Sequence, residues 1–338
     1  MNEKNRMYEL DVFRGVAVLM VLLYHYTTRY DQLFGHTKEN YSLNFNFGNL
    51  GVQLFFIISG FVIFMTLERS KSVKEFTYKR AIRLYPTYIV GVILTFLTVS
   101  AYQLEGRMVS LFDAVINLTL IEGLIYEQFE YVDGAYWSLT VEILFYAIMG
   151  FMLFIGWIKK IEVPIIIWLL VSLIVRSLDI YYDHMALTYL SFYGILTYCN
   201  LFIAGIMFFK LKNKNKLIYH IILGLSLLSE FLFNGIIVGT IVAVFFFMFY
   251  ALIYGKLTFL NHKPLAYLGT ISYALYIVHQ NIGYIIINFL EKNGFEHELY
   301  ILIPIIMSII IASVITFFIE QPLQKRLRKK PSIQNHAA

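Results

Sequence analysis

The chain has 338 residues, of which 59% are hydrophobic and only 14% are charged. Soluble domains carry about 45–50% apolar and about 25% charged residues, and a water-soluble globule could not hide so much apolar surface. The composition therefore excludes a soluble enzyme, a nucleic-acid-binding protein and a disordered protein, and it predicts a polytopic membrane protein. Cys199 is the only cysteine, so no intrachain disulfide can form.

Long apolar segments follow one another along almost the whole chain. A bilayer core about 30 Å thick needs about 20 mostly apolar residues in a helix, and ten segments meet this requirement. They are Leu10–Thr28, Leu50–Leu67, Tyr85–Tyr102, Ser138–Ile158, Val163–Ile180, Phe192–Phe209, Leu217–Phe233, Ile236–Tyr254, Leu265–Leu290 and Leu299–Ile319. We therefore expect an all-α integral membrane protein, a bundle of about ten transmembrane helices, in which the short Asn234-Gly235 turn makes the seventh and eighth spans a helical hairpin.

The distribution of basic residues predicts the orientation. With the N-terminus in the cytoplasm, most of the 27 lysine and arginine residues fall in cytoplasmic segments, as the positive-inside rule requires. Both termini are then cytoplasmic, as expected in a cell membrane. The first apolar stretch contains Arg14 and His25 and lacks a small-residue cleavage site, so we expect a retained helix rather than a signal peptide. The expected organisation is one membrane domain over 1–330 and a short polar tail at 331–338.

Two stretches between the spans are not predicted to cross the membrane. Arg69–Leu84 is basic and amphipathic, and we expect it to lie along the inner surface. Leu111–Ile125 is apolar but short and interrupted by polar residues, which predicts either an interfacial or a re-entrant segment.

The first span carries ionisable residues at membrane depth, where their cost makes them candidates for function. Arg14 and His25 are 11 residues apart, which at about 100° per residue places them on one face, roughly 16 Å apart along the axis. Asp11 lies three residues before Arg14 and can pair with it. The alternatives are an arginine that extends to the inner interface and an interfacial histidine.

Other spans place polar groups at the depth of His25. Glu142 in the fourth span and Arg176 in the fifth could form a structural ion pair. Glu142 could instead neighbour His25, because a carboxylate beside a histidine is how a general base is built. Tyr276 and His279 share a face of the ninth span, and for His279 the spacing favours a hydrogen-bonded packing role over catalysis.

A pair of arginines follows the second span. Arg80 and Arg83 are one helical turn apart, and arginines at this spacing can bind phosphates bidentately. The alternative is an interfacial helix bound to anionic lipid headgroups.

Together these segments resemble the membrane acyltransferase family 3, the integral-membrane O-acyltransferases of surface glycans. The matching motifs occur in the family's order and are LDVFRGVAVLMVLLYH, GVQLFFIISGFVI, KRAIRLYP, YWSLTVEILFY, SYALYIVHQ and FFIEQPL. Two departures are Gln53, where the family often has an acidic residue, and the pair Ile143 and Leu144, where it often has polar residues. The printed chain contains no esterase-like domain, so we expect the chemistry within the membrane domain or with a separate partner.

The resemblance implies an activity and its substrates. It implies transfer of an acyl group from acyl-CoA, commonly acetyl-CoA, to a hydroxyl of an envelope glycan or lipid-linked sugar, without a metal or a nucleic-acid partner. Arg14 and His25 match the two positions most associated with activity. The tryptophan-serine-leucine signature adds Trp137, Ser138 and Glu142 to the candidate site.

These observations support one mechanistic hypothesis. Arg80, Arg83 and Arg14 bind the coenzyme A phosphates or carbonyl, His25 accepts the proton of the acceptor hydroxyl, and Glu142 orients or stabilises it. Ser59 or nearby backbone amides could stabilise the oxyanion. An acylated enzyme intermediate is the alternative route.

Other side chains and other functions remain open at this point. The candidate supporting residues are Ser59, Trp137, Ser138, Arg176, Tyr276 and His279. The rival functions are a transporter or flippase that uses the intramembrane polar residues, and a membrane scaffold in which Arg14 and His25 are dispensable.

Overall fold

A computed structural model of the protein describes residues 7–36, 43–125, 128–182, 184–260, 263–295 and 297–328. Every regular element in these ranges is helical. The predicted polar tail at 331–338 lies outside the described residues, so its prediction is not tested.

The α-helices within the described ranges are numbered in chain order. They are α1 (Tyr8–Tyr24), α2 (Tyr30–Phe34), α3 (Gly51–Glu68), α4 (Val73–Tyr102), α5 (Leu111–Asn117), α6 (Trp137–Phe154), α7 (Glu162–Asp179), α8 (Met185–Tyr193), α9 (Cys199–Asn213), α10 (Leu217–Ile253), α11 (Lys263–Lys292), α12 (Leu302–Val314) and α13 (Gln321–Arg328). Two π-helical turns join α1 to α2 and α12 to α13, at His25–Arg29 and Ile315–Glu320.

The chain divides into two compact units. The first unit comprises Met1–Val21, Asn46–Thr77 and Ser138–Thr270, and the second comprises Leu22–Phe45, Tyr78–Trp137 and Ile271–Ala338. The predicted single acyltransferase domain over residues 1–330 stays a prediction.

Six helical stretches among the described residues are long and apolar enough to cross a membrane. They are Tyr8–Phe34, Asn46–Glu68, Val73–Tyr102, Gly134–Phe154, Leu217–Ile253 and Glu298–Arg328. These stretches coincide with the first four predicted spans, with the predicted hairpin and with the last span. Helices α7, α9 and α11 form where the remaining spans were predicted, but α9 is shorter and the others are more polar. The count of ten spans and the cytoplasmic termini stay predictions.

Helix α4 differs from its prediction. Its 30 residues run without interruption from the basic segment into the predicted third span, and Pro86 lies inside the helix. A helix of this length is about 45 Å long, so it can cross a bilayer core and extend about ten residues beyond it. The basic segment is therefore continuous with the predicted third span from Val73 onward, and the predicted position of Arg69–Leu84 along the inner surface stays a prediction.

The first unit is built around α3 and α9, which approach closely through glycines. A Cβ atom on Gly60 would lie 2.1 Å from the carbonyl oxygen of Phe202, and one on Gly205 would lie 2.1 Å from that of Ile57. No larger residue fits at either position. Small residues at a helix crossing are typical of membrane helix packing, where close backbone approach supplies the dispersion energy.

The predicted sixth span, Phe192–Phe209, is interrupted. Helix α8 ends at Tyr193, α9 begins at Cys199, and Ile195 between them has a φ of 45°. The break is not evident from the sequence, because the segment is mostly apolar and lacks proline.

Side chains of α7 satisfy the carbonyl groups that this break leaves without helical partners. The indole of Trp168 donates to the Gly194 oxygen at 2.8 Å, and the Ser172 hydroxyl donates to the Leu196 oxygen at 2.6 Å. One turn further along α7, the Arg176 guanidinium donates to a third carbonyl at 3.5 Å. Irregular backbone at membrane depth is tolerated only where such partners replace the lost hydrogen bonds.

The predicted hairpin between the seventh and eighth spans is confirmed. Gly235 leaves helical geometry with a φ of 82°, a conformation that favours glycine. A Cβ atom on Gly239 would lie 2.5 Å from the Phe231 ring. Eight residues of uninterrupted helix would separate these positions by about 12 Å, so the chain folds back at Gly235.

In the second unit, the segment between α4 and α6 returns along α4. The hydroxyl of Tyr85 donates to the Thr119 oxygen at 2.9 Å, and that of Tyr88 donates to the Glu122 carboxylate at 2.6 Å. Tyr88 lies about 21 Å before the end of α4 at Tyr102, from the rise per residue. Whether Leu111–Ile125 is an interfacial or a re-entrant segment stays a prediction.

A substitution at the α3–α9 crossing tests this packing. Gly205→Val should lower the free energy of unfolding by about 1–3 kcal/mol, because the added methyl groups meet the backbone of α3. Gly224→Ala is the control, since nothing lies within 4 Å of its Cβ position, and it should be neutral or stabilise α10 by roughly 0.5–1 kcal/mol. Thermal unfolding in detergent compares them, and equal midpoints for the two variants would contradict the close approach.

Candidate active site

His25 begins the π-helical turn that follows α1. The next three residues, Tyr26, Thr27 and Thr28, are buried, and His25 itself is half-buried. A π-helical turn inserts an extra residue per turn and re-aims the side chains that follow, and such turns frequently occur at functional sites. The sequence analysis did not predict this turn, because no residue type marks it.

The imidazole of His25 contacts that of His279 on α11. His25 Nδ1 and His279 Nε2 are 3.2 Å apart, and the two rings meet edge to face with centroids 4.8 Å apart. His279 is fully buried, and its Nδ1 lies 2.8 Å from the Tyr276 carbonyl oxygen. The structure thus brings together His25, His279 and Tyr276, which the sequence analysis had placed on two separate spans.

The residue after His25 binds the backbone of the same histidine. The Tyr26 hydroxyl donates to the His279 carbonyl oxygen at 2.7 Å and lies 2.7 Å from the Ser308 hydroxyl. A Cβ atom on Gly283 would lie 2.1 Å from the Tyr26 ring. The absence of a side chain at Gly283 is therefore what lets the tyrosine reach α11.

The segment before Trp137 is fixed to the same turn of α11. Tyr136 donates its hydroxyl proton to the Ile277 carbonyl oxygen at 3.2 Å, and the backbone N–H of Asn281 donates to Asp133 Oδ2 at 3.0 Å. Ile277 and Asn281 are four residues apart, and a regular helix would pair this carbonyl with this amide. The segment before Trp137 therefore bonds to both members of one carbonyl–amide pair of α11, on either side of His279 in the sequence.

Asp133 holds this segment together and was not singled out from the sequence. Its Oδ1 accepts the Ala135 amide at 2.9 Å, and the Tyr276 hydroxyl donates to the Ala135 carbonyl at 3.1 Å. Burial raises the pKa of Asp133 to about 6, although the amides of Ala135 and Asn281 and the charge of Arg107 lower it. The only signal in the sequence was an acidic residue four positions before the tryptophan of the signature.

Glu142 lies in the first unit with Ser59. The Ser59 hydroxyl donates to Glu142 Oε1 at 3.0 Å, and the Tyr146 hydroxyl donates to the same oxygen at 2.8 Å. The structure thus joins two predicted site residues. Because a serine hydroxyl has one proton, Ser59 cannot stabilise an oxyanion while it donates to Glu142.

The alternative ion pair between Glu142 and Arg176 is wrong for the described residues. Arg176 donates to Ser229 and Asn234 at 3.5 and 3.4 Å, and its guanidinium lies 4.3 Å from the centre of the Phe233 ring. These contacts, together with its hydrogen bond to the Thr197 carbonyl after α8, give Arg176 a structural role in the first unit.

Arg14 also lies in the first unit and makes the predicted pair with Asp11, at 3.0 Å. The arginine side chain keeps 25% of its exposure. One guanidinium nitrogen of Arg14, Nη1, therefore bonds to an acidic neighbour one turn away.

Arg83 and Glu320 form an ion pair that joins two of the sequence motifs. Glu320 is buried and also accepts hydrogen bonds from Thr87 at 3.1 Å and from Gln324 at 3.0 Å. Arg80 lies one turn before Arg83 on α4. The two candidate phosphate-binding arginines therefore lie one turn apart on the same helix.

The predicted site residues are distributed over both units. The second unit contains His25, Arg80, Arg83, Trp137, Tyr276 and His279, whereas the first contains Arg14, Ser59, Ser138, Glu142 and Arg176. Trp137 begins α6, and Ser138 follows it in a buried position. The prediction that Glu142 lies next to His25 stays a prediction. Within the described ranges, no group of three or more His, Cys, Asp or Glu residues could hold a metal ion, and the expectation of a metal-free reaction stays a prediction.

A family model described as an acyltransferase domain matches residues 7–319 of the chain. The chain belongs to the acyltransferase 3 family. This match covers nearly the whole sequence and confirms the resemblance on which the site prediction depended.

Among curated proteins, this acyltransferase-family chain is similar to two that are named for peptidoglycan. Peptidoglycan O-acetyltransferase OatA of Listeria monocytogenes is 26% identical, over 94% of this chain and 55% of its own length. The putative peptidoglycan O-acetyltransferase YrhL of Bacillus subtilis is 24% identical, over 93% of this chain and 54% of its own length. Exopolysaccharide production protein ExoZ of Rhizobium meliloti is 29% identical, over 46% of this chain and 49% of its own length. The chain spans about half the length of these relatives. No solved structure matches it.

The buried carboxyl of Asp133 makes the stability of the protein depend on pH. Its pKa is raised in the folded state, so its contribution is fully present below about pH 4 and is lost as the pH rises through about 6. The free energy of unfolding of the wild type relative to Asp133→Asn should therefore fall by at most roughly 3 kcal/mol over that window.

A non-titrating control keeps this test specific. Asn117 in the same segment donates to the Glu130 carbonyl at 2.8 Å and accepts the Val132 amide at 3.0 Å. Asn117→Ala should destabilise the protein by a similar amount at every pH. Denaturant unfolding in detergent from pH 4 to 7 measures both differences, and a difference for Asp133→Asn that is constant with pH would contradict the assignment.

Proposed function

We propose that the chain is an O-acetyltransferase of the cell membrane. It transfers the acetyl group of acetyl-CoA, bound from the cytoplasm, to a hydroxyl of an envelope glycan or lipid-linked sugar. Family membership and the names of the relatives support this proposal. The structural observation that carries it is the contact of His25 with His279, because a paired histidine at a π-helical turn is suited to moving a proton.

The donor is held by its phosphates. Arg80 binds the nucleotide phosphates of coenzyme A with its planar guanidinium, and Arg83, which pairs with Glu320, lies one turn away on α4 as a second candidate. Arg14 enters the proposal through the family's opening signature, as a partner for the pantetheine carbonyls or the phosphates.

Transfer follows a direct route. His25 accepts the proton of the acceptor hydroxyl as its oxygen attacks the thioester carbonyl carbon. The tetrahedral intermediate collapses, the carbon–sulfur bond breaks, and the leaving thiolate receives the proton from the His25 imidazolium. The products are the O-acetyl ester and free coenzyme A. Glu142 enters the proposal only through the signature that contains it, and its position is fixed by Ser59 and Tyr146.

Replacement of His25 tests the base. His25→Ala should lower label transfer from radiolabelled acetyl-CoA to the envelope glycan by about 10²–10⁴-fold, because a general base typically contributes that much. The assay uses membrane vesicles that contain the full chain and glycan, with mass spectrometry of the glycan to identify the added acetyl group.

His220→Ala is the matched control for this loss. His220 bonds to Tyr250 and Asn215, apart from the candidate site residues, so the variant should transfer label at the wild-type rate. Wild-type transfer by His25→Ala would remove His25 from the mechanism. Movement of substrate across the membrane without label transfer or thiol release would favour the transporter instead.

Replacement of Arg80 tests the donor site. Arg80→Ala should raise the KM for acetyl-CoA about tenfold and change kcat little, because it removes binding made equally in the ground and transition states. Lys79→Ala removes a neighbouring positive charge on the same helix and should leave the KM within about twofold. A fall in kcat at unchanged KM for Arg80→Ala would contradict the phosphate assignment.

A further inference from the structure

We propose that His279 is a positioning residue that fixes the tautomer of His25, so that Nε2 and not Nδ1 of His25 accepts the proton of the acceptor. This inference rests on the proposed function, in which His25 is the general base.

The hydrogen bond of His279 Nδ1 determines the tautomer of that ring. Its Nδ1 lies 2.8 Å from the Tyr276 carbonyl oxygen, and a carbonyl oxygen can only accept a hydrogen bond. Nδ1 of His279 therefore carries the ring proton. The ring is fully buried, which favours the neutral imidazole, and a neutral imidazole with a proton on Nδ1 has its lone pair on Nε2.

The tautomer of His279 determines that of His25. His279 Nε2 lies 3.2 Å from His25 Nδ1, and a lone pair on the first atom requires a proton on the second. A neutral His25 then has its lone pair on Nε2. When that nitrogen takes a proton, the hydrogen bond from Nδ1 to His279 becomes charge-assisted and stronger, which stabilises the imidazolium.

Several hydrogen bonds keep the imidazole rings of His25 and His279 aligned. Two consecutive residues bind His279, His25 through its ring and Tyr26 through the hydrogen bond to the His279 carbonyl. The Tyr276 and Tyr136 hydroxyls fix the same turn of α11 to the segment before α6. Apart from the contact between the two rings, each of these hydrogen bonds has a backbone carbonyl as its acceptor, so the backbone that carries His279 is held from several sides.

A neutral partner also suits the environment. A carboxylate in the place of His279 would fix the same tautomer, as in serine hydrolases, but it would place an unpaired charge in a fully buried position. An imidazole whose other nitrogen is bonded to a backbone carbonyl performs the orienting role without that desolvation cost.

Two variants of similar side-chain size separate this role from packing. His279→Gln keeps an acceptor oxygen for the proton on His25 Nδ1, whereas His279→Leu offers none. We expect His279→Leu to lower kcat about 10–100-fold, the usual cost of losing an orienting partner, with the KM for acetyl-CoA within about twofold. His279→Gln should keep kcat within several-fold of the wild type. Initial rates of label transfer are measured with the full chain in vesicles, and thermal unfolding confirms that both variants fold.

The outcomes distinguish this inference from the proposed function. If His25→Ala abolishes transfer while the Gln and Leu variants of His279 have equal kcat values, whether wild-type or reduced, the positioning role is wrong and the base assignment stands. A rise in KM without a change in kcat for His279→Leu would also overturn the inference. If His25→Ala transfers label normally, His25 is not the general base and the inference fails with that assignment, whereas absence of label transfer by the wild type would overturn the proposed function itself.

Discussion

The hydrogen bonds between the π-helical turn after α1 and the His279 turn of α11 are the contacts on which the candidate site depends. Tyr26 binds the His279 backbone, His25 binds the ring, and Gly283 leaves room for the tyrosine. A buried tyrosine hydroxyl that bonds a carbonyl is costly to misplace, because both groups would lose their partners away from water. The pair of imidazoles is therefore held by backbone geometry and not only by its own weak contact.

Much of the helical framework could be predicted from the sequence, because long apolar runs and the Asn234-Gly235 turn have direct physical signatures. The motifs also identified residues that the structure brings together, such as Ser59 with Glu142 and His25 with His279. The break before α9 could not be predicted, since its carbonyls are satisfied by side chains 26 and 24 residues away in the sequence, on α7. The same limit applies to α4, where packing tolerates a proline inside the helix.

The partners of individual polar residues were harder to predict than their positions. Depth in the membrane suggested that Arg176 pairs with Glu142, whereas Arg176 bonds a carbonyl after α8 and the side chains of α10. Arg83 and Glu320 belong to motifs more than 200 residues apart, and no spacing rule could have joined them. Periodicity gives the face of a helix on which a side chain lies, but the neighbour on that face is decided by tertiary packing.

The returning segment between α4 and α6 also limits how such chains can vary in length. Between Asp133 and Tyr136, both ends of the segment bond to α11 four residues apart. One residue inserted there would shift Trp137, the tryptophan of the signature, and break the hydrogen bonds of the segment to Ile277 and Asn281. The stretch just after α4, by contrast, leaves the helix at Gln103 and contains Gly106 with open space around it. Length differences between related enzymes should therefore accumulate near Gly106 and be absent between Asp133 and Trp137.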